Sequence, residues 1–168
     1  FAIFTTCGAA CFLGLGFRAP VRGAIEVAWG IELHPNELFG PVVDRAYQLE
    51  SEVAQYPRIV VGPNVLAMLG SHREQSGNDV FTKMNRELAE LCSQMIIVDI
   101  DGFPIIHYLG DTFREKISQD QHQEMYDDAL EFVKAQLQLH QRSTNTKLAM
   151  RYSHLLTYFL AHPPSIPA

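Results

Sequence analysis

The run IIVDIDGFPII, residues 96–106, constrains the chain more than any other segment. Two apolar stretches flank Asp101-Gly102. Asp-Gly suits the left-handed backbone of a tight hairpin turn, so the run is predicted to be a β-hairpin. A second buried strand is predicted for YPRIVVG, residues 56–62, stopped by Gly62 and Pro63. Upstream, RAPVRGAIEVAWGIEL carries Val21, Ile25, Val27, Trp29 and Ile31 at mostly alternating positions. Alternation predicts a strand with one buried face. Gly23 and Gly30 in it leave room for a bulge or a close approach. The following HPNELFGP holds Pro35, Asn36, Gly40 and Pro41 and is predicted to be a connection.

Helical periodicity fills the intervals. Val42, Val43, Ala46, Leu49 and Val53 recur at three and four, predicting a helix from about 42 to 54. NVLAMLGSH predicts a short helix, REQSGND a polar loop, and VFTKMNRELAELCSQM another helix. Residues 118–141 predict a long amphipathic helix with a Ser118/Gln121 capping box and a core stripe of Met125, Leu130, Val133 and Leu137. Residues 144–161 predict a last helix before HPPSIPA. With no internal repeat and no linker, residues 1–168 read as a single domain. Strands interspersed with helices and closed by a hairpin indicate an α+β sandwich, one sheet with helices on it.

Charge and cysteine usage narrow the function classes. A net charge of -6 argues against a basic surface for a nucleic-acid polymer. Three cysteines, Cys7, Cys11 and Cys92, do not make a disulfide framework, and point to a reducing, cytoplasmic setting. Cys7 and Cys11 share a helix face as small buried residues, with a metal or redox pair as the rarer alternative. FAIFTTCGAACFLGLGF lacks charge but is short for a membrane span and has no basic start, so it is predicted to be a buried helix. The seven histidines form no HxxxH or HExxH spacing. His107 reads as a half-exposed strand histidine.

The segment NELFGPVVDRAYQLES, residues 36–51, carries the functional signal. Leu38-Phe39-Gly40, Val43, Ala46, Leu49, Glu50 and Ser51 fall in register with the substrate helix of class III nucleotide cyclases, the adenylyl and guanylyl cyclase catalytic domains. The strand Val21-Arg22-Gly23-Ala24-Ile25 resembles that family's R-x-G-I strand, and DGFPIIHYLG its late hairpin. The pattern FGPVVDRAYQLE followed by YPRI is similar to a bacterial subgroup that includes pyrimidine cyclases of anti-phage signalling. The resemblance covers roughly residues 18–62 and 95–110. It implies a ferredoxin-like, cyclase-type α+β sandwich with one mostly antiparallel sheet.

The resemblance also implies a chemistry. A ribose 3′-hydroxyl attacks the α-phosphate of a nucleoside triphosphate and expels pyrophosphate, assisted by two Mg²⁺ or Mn²⁺ ions. The family's two metal aspartates would precede Phe1, so no residue of this chain is assigned to the metal, and Asp99, Asp101 and Asp111 lie too far along to serve. Glu37 stands at the base-selecting position, where a carboxylate accepts hydrogen bonds from a base amine or ring N–H. Phe39, Gly40 and Arg22 complete the implied substrate-binding set. Asp44 replaces the asparagine that orients the ribose, and Gln48 replaces the arginine that stabilises the transition state. Asp101 replaces a triphosphate-binding lysine. Structural alternatives stand beside each role: a solvated loop for Glu37, a helix first turn for Asp44, and a tight turn for Asp101. Arg22, Arg45 and Arg58 could supply the missing positive charge, or act as surface and capping cations. Three expectations result: a cyclase acting as a head-to-tail homodimer, a non-catalytic homologue used for dimerisation or nucleotide sensing, and an unrelated α+β interaction module.

Overall fold

The computed structural model describes residues 1–115 and 119–164. It is an α+β fold: helices packed on a four-stranded sheet, with a separate small hairpin. In chain order the elements are α1 (Ala2–Gly16), β1 (Gly23–Ile25), β2 (Ile31–His34), β3 (Glu37–Phe39), α2 (Pro41–Gln48) and β4 (Ile59–Val61). They continue with α3 (Pro63–Glu74), α4 (Val80–Gln94), β5 (Ile96–Val98), β6 (Pro104–Ile106), α5 (Asp111–Arg114), α6 (Gln119–Arg142) and α7 (Thr146–Ala161). The sheet order is β1-β4-β6-β5. β1 and β4 are parallel, Gly23 opposite Ile59, whereas β4–β6 and β5–β6 are antiparallel.

Burial follows the sequence patterns. β4 has all three of Ile59, Val60 and Val61 buried, as befits an inner strand covered on both faces. The apolar α1 buries Phe4, Cys11, Phe12 and Leu15 along one face. A Cβ added to Gly8 on that face would lie 2.1 Å from the Phe113 ring, so glycine is what lets α5 approach α1. Helices α6 and α7, joined by residues 143–145, run back along each other, and Val133, Leu155 and Phe159 seal their seam at zero exposure. Asp79 caps α4 by accepting from Thr82 N–H at 3.0 Å, and Asn145 caps α7 through Leu148 N–H at 3.2 Å.

Four expectations need revision. The alternating stretch 21–31 is not one strand: β1 ends at Ile25, and the chain re-enters extended structure at Ile31. HPNELFGP is not a plain connection. Its Asn36, at φ 68, turns β2 into β3, with Ile31 opposite Phe39. A short polar residue tolerates that left-handed backbone. The helix expected over 42–54 is α-helical only to Gln48 and continues as a π turn, Leu49–Val53. Arg58, read as a surface or capping cation, is 1% exposed. Of the two cysteines read as buried, Cys11 is buried and Cys7 half-buried. In the core stripe of α6, Val133 is buried while Met125, Leu130 and Leu137 pack partly against the core. The Ser118 half of the capping box lies outside the described residues.

Candidate functional site

The glycine turn that opens the motif is built by close backbone contact. Gly40 has φ 116, a conformation that side chains rarely adopt. A Cβ there would also lie 3.2 Å from Gly30 Cα and 3.3 Å from the Trp29 carbonyl oxygen. Gly30 and Gly40 thus close the β2–β3 loop on itself, and Val42 N–H donates to Trp29 C=O at 3.3 Å. Pro41 then occupies the start of α2, where its missing N–H costs nothing. Asp44 falls in the helix's first turn, and Gln48 lies one turn on. Gln48 Nε2 lies 3.5 Å from Asp44 Oδ2, so the two side chains share a face.

Beyond Gln48 the backbone widens. Ala54 N–H reaches back to Leu49 C=O at 2.9 Å, the i to i+5 pattern of a π turn. This turn helps to shape an open cleft of about 400 Å³ whose polar wall is Glu26, Arg45, Gln48, Glu52 and Asn64. The cleft lies beyond the C-terminal ends of the parallel pair β1 and β4, where Gly62 N–H donates to Ile25 C=O at 2.8 Å. Crevices at such strand ends are recurrent ligand sites in parallel sheets. Glu26 Oε1 accepts from Val27 N–H at 2.7 Å. A Cβ on Gly62 would come within 2.4 Å of Glu26 Oε2, so this glycine makes room for the carboxylate. Glu26, Glu52 and Asn64 went unrecognised in the sequence. The local signal was weak: Glu26 is one acid in an otherwise apolar run.

Of the motif residues, Gln48 and Arg45 line this cleft. Asp44, Glu37, Phe39, Gly40 and Arg22 are not among its lining residues. Glu37 and Phe39 are exposed on β3. Arg22 Nε is 2.6 Å from Glu50 Oε1, an exposed ion pair tying the approach to β1 to the π turn. Asp101 is drawn into a different cluster. The Arg58 guanidinium donates to both its oxygens, at 3.0 Å and 2.6 Å, and to Asp99 Oδ2 at 2.8 Å. It also donates to Val53 C=O at 2.7 Å and stacks 4.3 Å above the Tyr56 ring, while Tyr56 hydroxyl bonds Asp99. One buried cation therefore joins the end of the π turn to the β5–β6 turn. Burial alone would raise the Asp101 carboxyl, but the hydrogen bonds and charge of Arg58 outweigh it and hold the group below its ordinary range. Burial pushes the Asp99 carboxyl up, against a hydrogen bond from Ile100 N–H.

His107 lies just past β6 and is half-buried, not on the strand itself. Desolvation, with the neighbouring His162 and Arg114, lowers its pKa to about 4. Among the described residues no three His, Cys, Asp or Glu side chains form a group that could hold a metal ion. The cleft's Glu26 and Glu52 do not by themselves fit the two-aspartate site that cyclase chemistry uses, and no step is routed through a metal below. No protein family, no curated protein and no solved structure matches the chain.

Proposed function

We propose that the chain is a nucleotide cyclase-like domain that converts a nucleoside triphosphate into a 3′,5′-cyclic nucleotide and pyrophosphate. The observation that carries the reading is the motif's local geometry. A left-handed Gly40 launches α2, and Asp44 and Gln48 share its face one turn apart. That pairing matches the ribose and transition-state positions of the resemblance. In this reading Asp44 accepts from a ribose hydroxyl and Gln48 donates to a phosphoryl oxygen. Arg45, on the cleft wall beside Gln48, is the nearest cation in the motif and supplies the charge that Gln48 lacks. Glu37 and Phe39 face the base, with Gly40 and Arg22 in support. Mg²⁺ or Mn²⁺ is held by aspartates outside residues 1–168. A cytoplasmic homodimer in signalling, including anti-phage defence, is the setting this reading takes.

A second reading is favoured by one specific observation. Asp101, where the resemblance expects a triphosphate-binding lysine, is a carboxylate already engaged by Arg58. A domain with no cation there fits a catalytically inactive homologue that dimerises or senses nucleotide. The full-length protein, incubated with Mn²⁺ and each of the four triphosphates, separates the two. Cyclic nucleotide plus pyrophosphate from any of them establishes catalysis. Nucleotide binding without product establishes the sensor, and neither binding nor product removes both.

A further inference from the structure

A second cavity, about 470 Å³, lies at the far end of α7, away from the α2 cleft. Its wall includes His107, His162, Gly110, Asp111 and Gln94. Both imidazoles are oriented by one residue. His107 Nδ1 is 3.0 Å from Tyr158 Oη, and His162 Nδ1 is 2.8 Å from the Tyr158 carbonyl oxygen. A carbonyl only accepts, so neutral His162 carries its proton on Nδ1 and presents a bare lone pair at Nε2. Tyr158 Oη already accepts Leu109 N–H at 3.3 Å and has a second lone pair for His107 Nδ1–H. Among the described residues neither Nε2 has a protein partner. A ring nitrogen held by a backbone carbonyl or hydroxyl, with the other nitrogen free, is the usual outer support of a metal-binding histidine.

The spacing fits. The two ring centroids are 4.5 Å apart. An ion about 2.1 Å from each Nε2 places two imidazole centroids roughly 4.5 to 5.2 Å apart, for angles at the metal of roughly 90° to 110°. Gly110 keeps the Cδ2–Nε2 edge of His107 open, since a Cβ there would lie 2.5 Å from His107 Cδ2. Asp111 adds an exposed carboxylate to the same wall, tethered at Oδ1 by Arg114 at 3.4 Å. We infer that this cavity binds a divalent first-row transition metal of the zinc type, through Nε2 of His107 and of His162, with water and the Asp111 carboxylate completing the shell. Imidazole ligands select such ions over Mg²⁺. His107 is kept neutral by its surroundings, which leaves its lone pair available in the physiological range. The site involves none of the cleft residues and stands whether or not the cyclase reading holds.

The test is calorimetric titration of the metal-stripped full chain with Zn²⁺ in a Mg²⁺ buffer. One saturable site per chain is expected. Its affinity should drop at least about tenfold in His107→Gln and in His162→Gln, and be unchanged in the exposed control His34→Gln. A second arm needs no variant: ¹⁵N spectra of the wild-type histidines should show Zn²⁺ shifting Nε2 of both rings while both Nδ1 stay protonated. Absence of saturable binding, undiminished binding in either variant, or shifts confined to other histidines would overturn the assignment.

Discussion

Arg58 sets the energetics at the scale of single residues, because its charge is buried and every partner is a different piece of the fold. Arg58→Met removes the cation and leaves Asp99, with its side chain 2% exposed, uncompensated. The expected cost is about 3–5 kcal/mol, read as a lower urea midpoint. Arg58→Lys keeps the charge but cannot fork to Asp101 and Val53 together, so a loss of about 1–3 kcal/mol is expected. Asp101 makes the cluster pH-dependent. Its folded pKa is lowered, so its stabilisation is fully present above the unfolded carboxylate value, about 3.9. It is lost as pH falls through the lower folded value. Asp101→Asn should therefore lower stability at pH 7 and narrow the gap to wild type at pH 3, measured by urea unfolding at both. A gap that stays constant would exclude the linkage. Cysteine reactivity gives a third check. Burial pushes Cys11 up to about 12, while half-buried Cys7 is raised less. A thiol reagent at pH 8 should label Cys7 before Cys11, and Cys11 only on unfolding. None of the Arg58 pairing was legible in the sequence: 41 and 43 residues separate it from its aspartates, and only folding makes them neighbours.

Elements were legible where a periodic run was long or a turn had strong chemistry. The β5–β6 hairpin announced itself through Asp101-Gly102, whose Gly102 has φ 86. Helices α4, α6 and α7 announced themselves through apolar recurrence. The β2–β3 hairpin did not, because all seven of its strand residues are exposed and no buried face imposes alternation. The π turn escaped for a related reason: its residues are all good members of a continuing helix, and the extra residue per turn leaves no mark in composition. What the sequence did mark is Gly40. Its φ of 116 sits where a side chain is strained, and an added methyl would press on Gly30 and Trp29. Gly40→Ala should cost about 1–3 kcal/mol and loosen the N-terminal turn of α2. Hydrogen exchange should show faster exchange from Val43 and Asp44, whose N–H groups bond Gly40 C=O. Unchanged exchange there would mean that the turn does not hold the helix start.

On the scale of the molecule, one buried cluster joins α1, β4, β6 and the α6–α7 pair, and the motif-bearing hairpin lies outside it. No described helix is long and apolar enough to cross a membrane, so this cluster is the destination of the apolar residues of α1. Its unity has a consequence for unfolding. Leu155 in α7 and Val60 in β4 are 0% and 1% exposed members of the same cluster. Leu155→Ala removes a buried side chain and should cost about 2–5 kcal/mol. If the core is one cooperative unit, that loss must reach β4 and β6 as well as α7, because those strands open only when the whole core opens. Hydrogen exchange should therefore show Val60 and Ile106 amides losing protection in step with α7. The amides of the β2–β3 hairpin, which carries no buried residue, should exchange early in both proteins and at the same rate. Protection in β4 that survives the substitution while α7 exchanges freely would show that α6–α7 folds as a separate unit. In that event the cavity at the end of α7 would report on α7 alone, and the α2 cleft would keep its shape when α7 opens.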